Sequence, residues 1–242
     1  MKPTVAVFRP ADERLREAVD LLASLGVDPL GDPMLAVAPT GAVPREEAAF
    51  VIFTSKTGVE LVADAGWPAS GTVCAIGDST AAALRDHGYP VDVVPSEFSS
   101  SGLVARLQSE VAGARVEVAR SDHGSDVLLD GLNDAGAYVH ETILYELTRP
   151  ADSGVSAERA ATGDLAGAAF TSSLTVEHFL AAAAERGVRE AAIAGVNDAV
   201  VGCIGEPTRE TAEQAGIAVD VVPSEASFEA LARGVVERVR DR

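Results

Sequence analysis

The chain has 242 residues, 47% of them apolar and only 5% aromatic, and it carries a formal charge of −18 at pH 7 with Lys2 and Lys56 as its only lysines. That charge excludes a nucleic-acid partner, since a polyanion is held by neutralising its phosphates with Lys and Arg. No run approaches the roughly 18 apolar residues of a membrane span, and Cys74 and Cys203 stand alone, outside any CxxC or Cys/His cluster, so neither a disulfide frame nor a metal site is expected.

The length suits two domains of about 100 to 120 residues, and the opening residues read as a strand rather than a targeting signal, which places the protein in the cytoplasm. The acidic surface reads as a solubility strategy in concentrated salt, where carboxylate repulsion is screened.

Thr4 to Phe8 (TVAVF) is a short β-branched run, closed by Arg9-Pro10. The helix that follows places Leu15, Val19, Leu22 and Leu25 at helical spacing and stops at Gly26. After the apolar run Met34 to Val37, Pro39 to Pro44 (PTGAVP) reads as a linker. Phe50 to Phe53 is a buried strand leading into Thr54-Ser55-Lys56-Thr57-Gly58 and a short helix through Val59, Leu61 and Val62.

The next stretch, Val73 to Leu107, organises the rest because the chain writes it twice. Ile76-Gly77 returns as Ile204-Gly205, Thr80 as Thr208, Gly88 as Gly216, and the hexapeptide DVVPSE from Asp92 to Glu97 as Asp220 to Glu225. Identity of that length in one ungapped register marks a true internal repeat. Each copy reads as strand, turn, helix, strand: the glycine supplies a sharp turn, and Ser79/Thr80 or Pro207/Thr208 open the helix. The first unit returns as well, Arg115 to Ala119 (RVEVA) with Arg120 echoing TVAVF with Arg9, before a helix ending at Gly136 and a strand Glu141 to Leu147. Pro150 to Gly154 reads as a second linker, and Ala168 to Ser172 (AAFTS) repeats Phe53-Thr54-Ser55.

The units thus run A, B, C, A′, B′, C′. With two crossings, B, C and A′ form a continuous lobe, residues 40–148, while A joins B′ and C′, residues 1–37 and 151–242. An N-terminal lobe ABC followed by A′B′C′ is the plainer alternative. The Pro-rich break straight after A favours the first.

No phosphate loop, GxGxxG, HExxH or EF-hand loop is present. Gly77-Asp78-Ser79-Thr80-Ala81 nearly matches the GxSxG nucleophile elbow, but Ala81 replaces the last glycine and His87, His123, His140 and His178 offer no evident base. Thr54-Ser55 and Thr171-Ser172-Ser173 follow buried strands and, with the Gly77 and Gly205 turns, make four strand-to-helix junctions rich in N–H and O–H donors. Lobes facing each other with such junctions would form a cleft for a large polar anion. Arg9, Lys56 and Arg120 are its cationic candidates; Tyr145 lies in a strand near the second linker.

Taken in order, Phe8-Arg9-Pro10, IFTSKTGVE (Ile52 to Glu60), AIGDSTAAAL (Ala75 to Leu84), the Pro95-Ser96 to Leu103 segment, the strand-helix-strand from Val116 to Tyr145, AFTSSLTVE (Ala169 to Glu177) and CIGEPTRETAEQAG (Cys203 to Gly216) resemble the uroporphyrinogen-III synthase family over essentially the whole chain. The resemblance implies an α/β protein of two doubly wound parallel-sheet, flavodoxin-like lobes joined by a two-stranded linker, the N-terminal segment completing the C-terminal lobe. It also implies a cofactor-free cyclase that takes hydroxymethylbilane, a linear tetrapyrrole with eight carboxylates, expels its terminal hydroxyl as water and closes the ring with inversion of the last pyrrole; apart from the resemblance, a monomer is expected. On the same grounds Tyr145 falls where the family has its candidate proton donor. Thr54, Ser55, Thr80, Thr208, Ser172 and Ser173 fall at the substrate loops. Where family members often have Ser-Pro, this chain has Ser55-Lys56 and Ser172-Ser173. A non-catalytic polycarboxylate or tetrapyrrole carrier, and a hydrolase built on Ser79, are the competing readings.

Overall fold

The computed structural model describes residues 2–242. The first half of the chain forms β1 (Thr4–Phe8), α1 (Glu13–Ser24), β2 (Asp28–Gly31), β3 (Ala36–Pro39), β4 (Phe50–Phe53), α2 (Lys56–Asp64), β5 (Thr72–Ala75), α3 (Asp78–Asp86) and α4 (Ser100–Leu107). The second half forms β6 (Arg115–Ser121), α5 (Asp126–Asp134), β7 (Tyr138–Thr148), α6 (Val155–Ala161), β8 (Gly167–Phe170), α7 (Ser173–Glu185), α8 (Arg189–Asp198), β9 (Val200–Cys203), α9 (Glu206–Gln214) and α10 (Phe228–Arg240).

Local chemistry accounts for where the helices begin. Asp12, Ser55, Ser99, Ser125, Ser172 and Ser227 stand at N-caps, and each side chain accepts from a first-turn backbone N–H. Helix ends use glycine: Gly88 and Gly216, at matching places after α3 and α9, sit at φ +80° and +84°, where a Cβ would be strained.

The chain divides into two compact units. Unit 1 is the chain up to Ala36 together with Thr148–Arg242, and unit 2 is Val37–Leu147. The sheet of unit 1 has the order β2-β1-β8-β9 and that of unit 2 the order β3-β7-β6-β4-β5. All the pairings of β1 with β2 and β8, of β8 with β9, of β4 with β5 and β6, and of β6 with β7 are parallel. The N-terminal β1-α1-β2 therefore completes the C-terminal sheet, and its near-copy β6-α5-β7 holds the same place in the other. The lobed α/β architecture is as the sequence leads one to expect.

Each sheet is buried on both faces, as parallel sheets are. In unit 1, Phe8, Phe170 and Phe179 pack on one face and Val5, Val7, Leu22 and Val235 on the other. In unit 2, Val51, Phe53, Trp67 and Leu84 pack on one face and Ile52, Val118, Leu103 and Leu128 on the other. Adjacent strand residues thus feed opposite layers, which is the winding of helices on both sides.

The structure departs from the sequence reading in four places. β2 (DPLG) is a strand that charge, proline and glycine concealed; it bonds only to β1, and an edge tolerates Pro29. The DVVP runs do not make full strands: Val93 and Val221 form single bridges to Cys74 and Gly202. What the repeat preserves there is a side-chain tie, Asp92 accepting from Val73 N at 2.8 Å and Asp220 from Val201 N at 2.9 Å. α6 and α8 escaped because they are Ala-rich and packed together so closely that a Cβ on Gly195 would lie 1.8 Å from the Ala160 carbonyl oxygen. Finally, Gly77 and Gly205 are not sharp turns: both are extended, at φ −173° and −169°, which any residue adopts.

Candidate functional site

Parallel α/β sheets offer ligands the carboxyl ends of their strands. In unit 2 those ends carry Thr54 and Ser55 after β4, Gly77 after β5, Arg120 and Ser121 at the end of β6, and Tyr145 within β7. A cavity of about 230 Å³ gathers Thr54, Ser55, Ile76, Ser100, Arg120 and Tyr145. Tyr145, 7% exposed, donates its hydroxyl to Ser55 Oγ at 3.1 Å, and Ser55 Oγ also accepts from Gly58 N at 3.0 Å as the cap of α2. The helix start thereby fixes the serine, and the serine fixes the phenol.

Arg120 also lines this cavity, but its charge is already engaged. It is 4% exposed; Nε donates to Glu141, Nη1 to the Ser125 carbonyl at 2.6 Å, and Nη2 to Asp126 at 3.3 Å. Gly124 makes room for it, since a Cβ there would meet Arg120 Cδ at 2.4 Å. Arg120 thus lines the cavity with its donors held by neighbouring groups. Lys56 is exposed and pairs with Glu60 one turn along α2 at 3.5 Å, a solvated helix-face pair.

Thr80 is buried in the first turn of α3 at 2% exposure, and Ser79 beside it is exposed. Ser79 makes no side-chain hydrogen bond to a histidine among the described residues. Gly77 caps α3 without a side-chain bond to the first-turn N–H groups. A Cβ on Gly77 would lie 3.2 Å from the ring carbon Cγ of Phe98. Phe98 is 58% exposed, and the sequence reading passed over it. The repeat held the signal, because Phe98 aligns with Ala226 just beyond the shared DVVPSE.

In unit 1 the corresponding ends carry Arg9 after β1, Ser172 and Ser173 after β8, and Gly205 and Thr208 after β9. Ser172 forms a capping box with Thr175. Ser173 donates to the Pro207 carbonyl at 3.0 Å and accepts from Thr211 at 2.9 Å, so its hydroxyl ties α7 to α9. Thr208 is buried in the first turn of α9, and Gly205 caps that helix without a side-chain bond. Arg9 differs from its counterpart in unit 2. Its Nε is buried and has no hydrogen-bond partner among the described residues, and its guanidinium lies 4.8 Å from the centroid of Phe228. Burial, and then the nearby Arg14, push its pKa below the usual arginine value. A buried donor without a partner is costly, and an anion would relieve it.

No group of His, Cys, Asp and Glu among the described residues is arranged to hold a metal ion. Burial pushes the Cys74 and Cys203 thiols up to about 12, so neither is a thiolate at neutral pH. No helix among the described residues is long and apolar enough to cross a membrane.

Comparison with known proteins adds three findings. The family model described as uroporphyrinogen-III synthase HemD matches residues 16–233. A curated relative from Methanothermobacter thermautotrophicus, bearing the name "Putative uroporphyrinogen-III synthase", is 32% identical over 231 residues, covering 88% of this chain and 90% of its own. Among solved structures, a mutant uroporphyrinogen III synthase from the extremely thermophilic bacterium Thermus thermophilus superposes with a TM-score of 0.67 at 19% identity, covering 98% of this chain and 99% of that one. The uroporphyrinogen-III synthetase from Helicobacter pylori gives 0.62 at 15%, covering 98% and 100%. At those identities the two structures speak for the fold alone.

Proposed function

The chain belongs to the uroporphyrinogen-III synthase family, and from that premise we propose that it closes hydroxymethylbilane to uroporphyrinogen III, with the Tyr145–Ser55 pair at the site of dehydration. The observation that carries this assignment is the 3.1 Å hydrogen bond from Tyr145 to Ser55 inside a polar cavity at the carboxyl edge of the unit 2 sheet.

The reaction is redox-neutral. The terminal hydroxyl leaves as water while the attached pyrrole nitrogen supplies electrons, giving an azafulvene-type cation. A substituted pyrrole carbon of the last ring then attacks, and rearrangement through a spiro centre inverts that ring before closure. Tyr145 is the proton donor to the departing hydroxyl once its O–H turns from Ser55 to the substrate, and Ser55 then holds the phenol oxygen by donating its own hydroxyl. Thr54 and the first-turn N–H groups of α3, left without a side-chain acceptor at Gly77, donate to substrate carboxylates. In unit 1, Arg9 meets a carboxylate through the Nε that lacks a partner, with Ser172, Gly205 and Thr208 at the adjacent loops. Arg120 and Ser173 hold the loops through their own hydrogen bonds, and the exposed Lys56 remains open to a substrate carboxylate. Because uncatalysed closure occurs without inversion, the enzyme's task is orientation, which can contribute several kcal/mol to a barrier.

An octa-anion approaching a protein of charge −18 is repelled at long range, and salt weakens that repulsion. This fits a cytoplasmic monomer working in concentrated salt, without nucleic-acid or membrane partners and without a cofactor. The test is to generate hydroxymethylbilane in a coupled assay and separate the oxidised type I and type III isomers. The type III isomer should dominate with enzyme present and the type I isomer without it; an isomer ratio equal to that of the spontaneous reaction ends the proposal.

A further inference from the structure

Unit 2 has a second polar concavity at the end of its sheet opposite Tyr145. A cavity of about 400 Å³ opens where β6 and β7 begin, lined by Arg45, Arg115, Glu117, Tyr138 and His140 among others, a size suited to a small molecule. From Arg115 to Arg120 the strand climbs roughly 17 Å, which separates this cavity from the one around Tyr145.

Its floor is Glu117, a carboxylate 1% exposed in a strand flanked on both sides. Burying a charge there is costly unless it is hydrogen-bonded. His140, its register partner on β7, approaches through Nδ1 at 2.8 Å, and Thr142 donates its hydroxyl to the same oxygen. Arg45 reaches His140 Nε2 at 2.5 Å. An arginine can only donate, so Nε2 accepts and the ring hydrogen sits on Nδ1, facing Glu117. The chain from Arg45 through His140 to Glu117 fixes a guanidinium at the cavity from the inside.

The repeat supplies an internal control. β1 and β2 occupy in unit 1 the places of β6 and β7, and in the same register Ala6 pairs with Leu30 where Glu117 pairs with His140. Ala6 is wholly buried and Leu30 packs on the core, so hydrocarbon closes this layer without help. The polar set of unit 2 is therefore not a requirement of the fold. Arg45 and Arg115 also lack a carboxylate ion pair among the described residues, in a chain with 37 Asp and Glu against 19 Lys and Arg, where Arg106, Arg209 and Arg233 each find one. Tyr138, 71% exposed, stands beside them as a flat apolar surface, and Glu47 at the rim limits the charge the site can accept.

We propose that this cavity is a second ligand site, which takes a small molecule bearing one oxyanion, carboxylate or phosphate, on a flat body. Arg45 and Arg115 bind the anion, the His140–Glu117 pair aims Arg45, and Tyr138 covers the body.

The full chain is titrated with benzoate and with phenyl phosphate at constant ionic strength, balanced with chloride, following binding heat and Tm. Saturable binding by either probe is expected, with Tm rising about 3–6 °C at ten times Kd; the tighter probe identifies the anion. Arg115→Ala and Arg45→Ala should each weaken binding about tenfold, Arg115→Lys less, while Tyr145→Phe, at the other edge, leaves it unchanged. Circular dichroism establishes that the variants fold. No saturable binding of either probe, or binding that survives intact in the folded Arg45→Ala/Arg115→Ala double variant, overturns the proposal.

Discussion

In unit 2 the arginine near the end of the central strand β6 is buried among Glu141, Asp126 and the Ser125 carbonyl. In unit 1 its counterpart after β1, Arg9, keeps a buried Nε without a partner among the described residues. One difference lies on the neighbouring strand. In matching registers Val118 pairs with Glu141 and Val7 with Gly31, so the acid that closes Arg120 is absent beside Arg9. A similar exchange separates Tyr145 from Leu35, which bridge Ser121 and Pro10 respectively. The chain writes one scaffold twice, and differences at the strand ends give unit 2 the buried Tyr145 hydroxyl and unit 1 an arginine whose Nε has no hydrogen-bond partner among the described residues.

Four experiments break or sharpen this contrast. The largest effect is expected from Arg120→Ala, which leaves Glu141 and the Ser125 carbonyl without their donor and should lower the unfolding free energy by about 3 kcal/mol. Arg9→Ala forfeits a ring contact and should cost under about 1 kcal/mol; denaturant titration of both variants measures the difference, and equal losses would erase it. In steady-state kinetics the order reverses: Arg9→Ala should raise KM about tenfold, the size of one charge-assisted hydrogen bond, with Arg9→Lys recovering part of it. An unchanged KM would remove Arg9 from the substrate's path.

A smaller effect belongs to Tyr145→Phe, which removes the donor but keeps the ring. Turnover should fall by roughly three- to tenfold, since a positioned acid contributes on the order of a hundredfold or more and water can replace much of it. Type III selectivity should persist, because orientation rather than proton transfer sets it. The smallest effect is one the units share. Burial raises both Cys74 and Cys203 from 9.0 to about 12, so the stability they contribute is complete below pH 9 and is lost as pH climbs towards 12. Near neutral pH both thiols should resist iodoacetamide until the chain is unfolded; rapid labelling of one alone would show its unit opening separately.

Much of the fold was legible because the chain repeats itself: TVAVF against RVEVA, and FTS against FTS, disclosed which strands are equivalent. β2 was not legible, since an edge strand may carry Pro29 and Gly31 without penalty. Within the site, residue type indicated hydroxyl-rich junctions but not how each hydroxyl is used. Ser55 both caps a helix and receives Tyr145, Ser173 is engaged by Pro207 and Thr211, and Lys56 turns to Glu60. Those outcomes depend on which helix start lies beside which strand, a relation that spacing along the chain does not contain. One difference between Arg9 and Arg120 lay in Gly31 and Glu141, and it became readable only with the strand register known.

The pairing of β1 with β8 has a consequence during synthesis. One flank of β1 stays unfilled until Gly167–Phe170 leaves the ribosome, on the order of ten to thirty seconds after Phe8 at ordinary elongation rates. Unit 2 ends 20 residues earlier, about one to four seconds ahead of β8, so for that interval the nascent chain carries one finished lobe and an N-terminal βαβ piece with an exposed apolar flank. Chaperone contact should concentrate on that piece, and ribosome-bound chains stalled before β8 should be clipped there by protease while Val37–Leu147 survives.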